Sequence, residues 1–468
     1  MSWASQASSV TTVPSIGDLS HEDIASAVHL NEKNSLPSSV KPLATTLAHH
    51  TRDELLSLGC FELPDYDTCR ELIRAYGRWI HPTLPMVDLL QLSAVFSDKD
   101  SGSASLLLLK AVLMVSYPLV GHDTSRQPAL ARQVESLVRA NAERDPILVL
   151  QTLILMTYNE TDSQGRNSYY WMRMASKFSA RLLADAQVLS DTRPALRATF
   201  WSLMARDATV SLAARRPRQC KFEIPASFQK RPAVVKMQTT GFLDYETNSL
   251  RYSNVQESLH ELCNAIQVTM DSKHSQDSLA SVQEPAELLT AWYEHWHERL
   301  RSIADQTGEP SFRVHQAVIL GYWSLAVVTL HCWNPSHKLE PTPEQSNKSE
   351  VVATALNTIT SVYLSLYEQN LTQYIPSTAV TALAPAAVAH LMNSTSLDWE
   401  VRAISTHKYY LCWQVLRDLS SKYESAGQVM SMMDTLGQGL KDSFDTGTAE
   451  QAARLRIWCT DLRSSMGG

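Results

Sequence analysis

Apolar side chains recur at helical spacing along most of the chain. Between residues 67 and 80 they fall three or four positions apart and form one face, which predicts an amphipathic helix: Leu72, Ile73, Tyr76 and Trp79. The proline of His81-Pro82 ends this helix, because the residue before a proline avoids helical backbone. The stretches 105–117 and 147–158 are apolar almost throughout, which predicts buried helices.

The same spacing predicts further helices up to the end of the chain. They are expected at residues 126–141, 169–175, 197–207, 244–273, 286–306, 314–333, 350–368, 378–392, 399–424 and 449–463. Residues 226–240 lack a clear period, and residues 334–349 carry three prolines, so both segments are predicted as loops. Alternating runs bounded by tight-turn residues are almost absent, which predicts an all-α fold, a multi-helical array.

Two segments differ in composition. Residues 1–50 are rich in serine, threonine and small polar residues and are broken by prolines, which predicts a disordered lead. Residues 51–468 have enough apolar sequence for one continuous helical domain.

Charge and cysteine usage narrow the function classes. The formal net charge is −7 without a run of either sign, which argues against a nucleic-acid surface spread over the domain. The seven cysteines are odd in number and scattered, so we expect no disulfide framework and a reducing, intracellular compartment. The apolar run 106–120 contains Lys110 and Pro118 and is too short to cross a bilayer, so no membrane partner is expected.

The order of several short motifs resembles a known family. In chain order these are Leu155-Met156-Thr157-Tyr158, Trp171-Met172, Phe200-Trp201, Arg206-Asp207 and Arg215-Arg216-Pro217. They resemble the fungal-specific regulatory domain, or middle homology region, of zinc-binuclear-cluster transcription factors, particularly the cutinase transcription factor group. The resemblance covers roughly residues 55–230. It implies a helical regulatory domain that acts on transcription in a fungal nucleus or cytosol.

The chain departs from that family in one chemical respect. The family's DNA-binding module holds two zinc ions with six closely spaced cysteines, and zinc needs its thiolates brought together. No two cysteines here have a Cys-x2-Cys or Cys-x4-Cys spacing: Cys60, Cys69, Cys220, Cys263, Cys332, Cys412 and Cys459. We therefore expect no sequence-specific DNA binding by this chain. The module is either naturally absent, which Met1 leading into the low-complexity segment favours, or was removed.

Aromatic and basic side chains of the motif region suggest a ligand pocket. A pocket for a hydrophobic small molecule needs apolar walls with a few polar groups, and the residues proposed for it are Tyr158, Tyr170, Trp171, Arg173, Trp201 and Arg206. The alternative is that the aromatic stripe is ordinary core and that Arg206-Asp207 is a helix-packing ion pair that fixes the Arg215-Arg216-Pro217 turn. Because neighbouring helix positions diverge by roughly 100°, these two side chains are expected to serve different partners.

Motifs of catalysis and cofactor binding are missing. The sequence contains no phosphate-binding glycine loop, no nucleophile elbow and no His-Glu-x-x-His motif. His295 and His297 are two positions apart, whereas chelation from one helix prefers three or four, so no metal site is expected. No catalytic residue and no cofactor are assigned, which favours a binding protein over an enzyme.

Two functional hypotheses remain. The first is a transcription-factor-like regulator in a fungal secondary-metabolite pathway, acting through a transcription factor, a coregulator or a small ligand. It includes the case of a ligand-responsive fragment of a longer regulator. The second is a regulator fold recruited as a biosynthetic enzyme or binding protein for a hydrophobic metabolite, which requires an enclosed pocket with convergent polar groups.

Overall fold

Fifteen α-helices make up nearly all of the described structure. The computed structural model describes residues 40–41, 49–96, 104–121, 126–159, 165–184, 194–222, 249–274, 282–332 and 343–444. The first half contains α1 His49–Ser57, α2 Tyr66–Trp79, α3 Leu89–Ala94, α4 Leu106–Ser116, α5 Arg126–Arg139, α6 Pro146–Met156, α7 Ser168–Leu183 and α8 Pro194–Ala214. The second half contains α9 Ser249–His274, α10 Gln283–Thr307, α11 Pro310–Cys332, α12 Pro343–Glu368, α13 Thr378–Asn393, α14 Trp399–Ser420 and α15 Glu424–Phe444. The predicted all-α fold is confirmed.

Short elements complete the described secondary structure. Two 3₁₀ turns lie at Tyr117–Leu119 and Thr372–Tyr374. Two strands of two residues each, β1 Val40–Lys41 and β2 Ala104–Ser105, pair in parallel. Strand β1 therefore lies inside the segment predicted as a disordered lead, most of which falls outside the described residues.

Side-chain caps fix where several helices begin. The carboxylate of Asp65 accepts a hydrogen bond from the Thr68 backbone N–H at 2.9 Å before α2. Asp145 accepts from the Ile147 N–H at 2.8 Å before α6, and Asn167 accepts from the Tyr170 N–H at 3.0 Å before α7. Each cap satisfies a backbone donor that has no partner within the helix.

Helix α11 forms the centre of the second half. It packs against α9, α10, α12 and α13, and it also contacts α2 and α8 of the first half. By length and composition α11 is also apolar enough to cross a membrane, but 89% of its apolar window is buried inside the fold, as expected for a core helix. Helix α8 contacts α6 and α7 on one side and α9 and α11 on the other, so it joins the two halves.

Two predictions about the second half are wrong. Residues 343–349 were expected in a loop, yet α12 begins at Pro343, because a proline in the first helical turn loses no hydrogen bond. Helix α14 ends at Ser420, and α15 follows from Glu424 to Phe444 where no separate helix was predicted. The predicted helix at 449–463 and the predicted loop at 226–240 lie outside the described residues.

Candidate functional site

A small cavity lies where the two halves meet. Its volume is about 30 Å³, enough for a water-sized molecule or a little more. The walls come from the end of α2 and the segment after it, the end of α6, and from α8, α9 and α11. Its polar side chains are Thr83, Tyr158, Arg206, Thr209, His315 and Tyr322.

The guanidinium of Arg206 is the charged group of this cavity. Arg206 is 2% exposed, and its Nε donates to Thr157 Oγ1 at 2.7 Å while an Nη donates to the Thr157 carbonyl oxygen at 3.0 Å. The guanidinium carbon lies 4.0 Å from the centre of the Tyr158 ring. Among the described residues no carboxylate pairs with Arg206. Arg206 is therefore a buried cation whose charge no side-chain anion offsets.

The end of α6 explains why the sequence places a cation here. Thr157 is the residue that follows α6, and its Oγ1 donates back to the Ile154 carbonyl oxygen at 2.6 Å. The last carbonyl groups of a helix lack helical donors and carry partial negative charge. Arg206 satisfies one of them, and the Tyr158 ring face adds a cation–π contact. These contacts offset only part of the cost of burying a full charge.

Tyr158 and His315, which also line the cavity, are neutral near pH 7. Burial raises the pKa of Tyr158 to about 12, although Arg206 acts in the opposite direction. Burial lowers the pKa of His315 to about 4, against the raising effect of its hydrogen bond to the Arg78 carbonyl. That bond, from His315 Nε2 to the carbonyl oxygen, is 3.1 Å long. Arg206 thus supplies the cavity's charge.

The tyrosine hydroxyls of the cavity differ in their hydrogen bonds. Tyr322 Oη donates to Thr378 Oγ1 at 2.9 Å, so its proton is already engaged. In the part of the chain that the structure describes, Tyr158 Oη has no hydrogen-bond partner. Tyr158 therefore offers a donor in the same cavity as the unpaired guanidinium.

Asp207 has a separate structural role. Its carboxylate accepts hydrogen bonds from the backbone N–H groups of Gln219 and Cys220, each at 3.0 Å. Burial raises the pKa of Asp207, while these two N–H groups act to lower it. The prediction that Arg206 and Asp207 serve different partners is confirmed, and the alternative of a mutual ion pair is wrong.

The basic turn after α8 is engaged with the protein itself. Arg218 donates two hydrogen bonds to the Asp271 carboxylate, at 3.1 and 2.6 Å. The Arg216 guanidinium lies 5.1 Å from the centre of the Tyr169 ring. These contacts tie the turn to α9 and α7 and give it a structural role.

Four of the six residues proposed for the ligand pocket lie away from this cavity. Trp201 is buried against α9, where its Nε1 donates to His260 Nδ1 at 3.1 Å. Tyr170 and Trp171 meet edge to face at 5.2 Å. Arg173 is exposed, with its guanidinium 5.9 Å from the Tyr170 ring centre. Of the six, only Tyr158 and Arg206 line the cavity.

The sequence did not indicate the other polar residues of the cavity. Thr209 is three positions after Arg206 in α8, so helical spacing from Arg206 is the signal that points to it. His315 and Tyr322 belong to α11, more than 100 residues further along, and a single sequence carries no signal of that contact. Their approach depends on tertiary packing.

A larger groove lies at the far end of the second half. It has a volume of about 850 Å³ and is formed by the end of α13, by α14 and by α15. Leu397 at its edge is 95% exposed. Its arginine, Arg402, already donates to the Ser396 carbonyl oxygen at 2.9 Å, so the groove gives less indication of a specific ligand than the cavity does.

The described residues contain no group of three or more His, Cys, Asp or Glu side chains that could hold a metal ion. His295 meets Trp296 edge to face at 5.0 Å, whereas His297 stacks on Tyr293 at 4.5 Å. Each of these imidazoles is therefore packed against a different aromatic ring. The sequence-based expectation of no metal site stays a prediction.

Comparisons with known proteins give one consistent result. The chain is similar to fungal transcription factors. It is 24% identical over 475 residues to a transcription factor of Fusarium pseudograminearum, covering 86% of this chain and 52% of that protein. Cutinase transcription factor 1 beta of Fusarium vanettenii is 22% identical, covering 90% and 55%. The acetamidase regulatory protein of Aspergillus fumigatus is 23% identical, covering 72% and 44%.

The extent of these matches limits what they show. The chain spans about half the length of the curated relatives it matches. No protein-family model and no solved structure matches it. The expected resemblance to fungal transcription factors is confirmed at this coarse level, while the absence of a zinc cluster from the whole protein stays a prediction.

Proposed function

We propose that this chain is the helical regulatory part of a fungal transcription regulator that acts in the nucleus. The observation that carries the proposal is the length of the similarity, which extends over 86% and 90% of the chain in two fungal transcription factors. Similarity over so many helices favours a shared role of the entire array rather than of one motif.

The chain is proposed to reach DNA through a partner protein. Its seven cysteines lack the spacing of a zinc cluster, and its net charge of −7 disfavours phosphate binding over a broad surface. A transcription factor or coregulator that contacts DNA itself is therefore the expected partner. A ligand that binds one arrangement of the helices more tightly than another would then change this partner's activity.

The alternative role, a biosynthetic protein for a hydrophobic metabolite, receives less support. Sites for such molecules usually enclose about 300–1,000 Å³, whereas the cavity at Arg206 measures about 30 Å³, and the groove of about 850 Å³ contains none of the six residues proposed for the pocket. Tyr170 and Arg173, two of the polar groups expected to converge there, lie elsewhere. A regulator that senses a small ligand fits this geometry better.

A gene deletion tests the proposal. In the source fungus, transcripts are compared between a strain lacking the gene and the same strain complemented with the tagged full chain. We expect a defined set of transcripts to change and to be restored, and the tagged protein to be nuclear. The identity of the genes whose transcripts change also tests the expected link to secondary metabolism. Unchanged transcripts together with a protein excluded from nuclei would refute the proposal.

A further inference from the structure

We propose that the cavity at Arg206 binds a small carboxylate, with the Tyr158 hydroxyl as a second hydrogen-bond donor. This inference deepens the proposed function by naming the chemical class of its ligand. The observation behind it is a guanidinium, 2% exposed, that borders this cavity and has no carboxylate partner among the described residues.

The donors of Arg206 are only partly used. A guanidinium carries five N–H groups, and the two hydrogen bonds to Thr157 engage two of them. Three therefore remain without a protein acceptor in the described part of the chain. Because buried charged groups are normally paired and hydrogen-bonded, an anion in the cavity would complete the coordination.

The geometry of the donors favours a carboxylate over other anions. The planar guanidinium matches two carboxylate oxygens with two parallel N–H groups. Arg206 carries one positive charge and the neighbouring Tyr158 and His315 are neutral, which suits a monoanion better than a phosphate dianion. No acidic side chain lines the cavity to repel it.

The walls of the cavity suit a short apolar tail. Ile80, Leu84 and Val318 face the same space as Arg206. These apolar side chains cannot donate hydrogen bonds to the oxygens that sulfate and phosphate carry on every side, but they would contact an alkyl group. The volume of about 30 Å³ limits that group to a methyl or ethyl group, so the two smallest alkyl carboxylates, acetate and propionate, are suitable probes.

Ligand binding here would act on the contact between the two halves. Arg206 belongs to α8 and is bonded to the end of α6, whereas Val318 and Tyr322 belong to α11. An anion held between them would favour the arrangement in which α8 and α11 stay packed. This step from binding to regulation rests on the proposed function; the binding itself does not.

Calorimetric titration of the purified full chain with acetate and propionate tests the inference. Acetamide and propionamide serve as neutral probes of the same shape, and chloride and sulfate as other anions. We expect saturable binding of one carboxylate per chain. The amides should bind at least roughly tenfold more weakly, because hydrogen bonds between charged groups are the stronger ones. Chloride and sulfate should also bind at least roughly tenfold more weakly, because they lack the alkyl group that the apolar walls contact and the planar pair of oxygens that a guanidinium matches.

Three variants locate the site. Arg206→Met is expected to weaken carboxylate binding by about 100-fold or more, and Tyr158→Phe by roughly tenfold. Arg173→Met is the matched control, because Arg173 also lies over a tyrosine ring but is exposed and outside the cavity. It is expected to bind like the wild type. Circular dichroism checks folding, and if Arg206→Met is unfolded, Tyr158→Phe decides the question.

Several results would overturn the inference. These are no saturable carboxylate binding by the wild type, equal binding of amide and carboxylate, unchanged binding by Tyr158→Phe, or loss of binding in Arg173→Met. Tighter binding of neutral hexanol than of acetate would also overturn it, in favour of a hydrophobic ligand. None of these results depends on transcripts, so failure of the inference is distinguishable from failure of the proposed function.

Discussion

A close contact between α11 and α12 gives a sharp test of the packing. A Cβ added at Gly321, in the middle of α11, would lie 2.9 Å from Tyr363 Oη and 3.4 Å from Ala382 Cβ. Tyr363 is 1% exposed, and its hydroxyl has no hydrogen-bond partner in the structure described here. The Tyr363 hydroxyl oxygen is therefore the atom that leaves no room for a side chain at Gly321. It is also a buried polar group without a hydrogen bond to offset its burial.

Substituting Gly321 by alanine has two opposite effects on stability, and a double-mutant cycle with Tyr363 separates them. Gly321→Ala gains about 1 kcal/mol of helix propensity, but forcing a methyl group into a packed site costs about 1–3 kcal/mol. In the wild type we expect a net loss of up to about 2 kcal/mol in the free energy of unfolding. With Tyr363→Phe the 2.9 Å contact disappears, and Gly321→Ala becomes neutral or stabilising.

Urea-induced unfolding of the four proteins, followed by circular dichroism, measures this coupling. The expected coupling energy is about 1–3 kcal/mol, and Tyr363→Phe alone is expected to be neutral or stabilising, because it removes an unpaired buried hydroxyl. Gly437→Ala in α15 is the control, because nothing lies within 4 Å of its added Cβ. Additive effects of the two substitutions would refute the packing of α11 against α12.

Three further predictions concern buried polar groups and DNA. Burial lowers the pKa of His81 to about 3 and those of His315 and His390 to about 4. The histidines of the unfolded chain take up protons at a higher pH than these buried ones, so the free energy of unfolding in urea should fall as the pH drops below 6.5. Each of the three histidines should contribute a loss of about 1.4 kcal/mol per pH unit. A constant free energy of unfolding down to pH 5 would contradict this. Asp207→Asn places an NH₂ group against the N–H of Gln219 or Cys220 and should cost about 2 kcal/mol in the same assay; wild-type stability would contradict it. The purified chain should show no sequence preference among genomic DNA fragments at two salt concentrations, and a preference that persists at high salt would contradict the proposed need for a partner.

Helix positions were largely predictable because burial imposes a period on the sequence. Apolar spacing placed α2, α6 and α11 to within a few residues. Helix α15 was missed, although Ala426, Val429 and Met433 have helical spacing and are buried, because the prediction extended α14 to residue 424 and placed no separate helix after it. The start of α12 was also predicted wrongly. The prolines in this segment indicated a loop, but Pro343 is the first residue of the helix.

The candidate site was only partly predictable. Tyr158 and Arg206 were found because they belong to short motifs in one region of the sequence. His315 and Tyr322 reach the cavity only because α11 packs against α2 and α8, which depends on contacts between residues far apart in the chain. Conversely, Trp171 and Trp201 occur in the motifs but serve as buried packing residues.

Chromatin immunoprecipitation of the tagged full chain in the source organism tests the central claim most directly. The account predicts enrichment at the promoters of the genes whose transcripts change on deletion, and loss of that enrichment when the DNA-binding partner is removed. Background occupancy at all of these promoters, in cells where deletion nonetheless changes the transcripts, would contradict it.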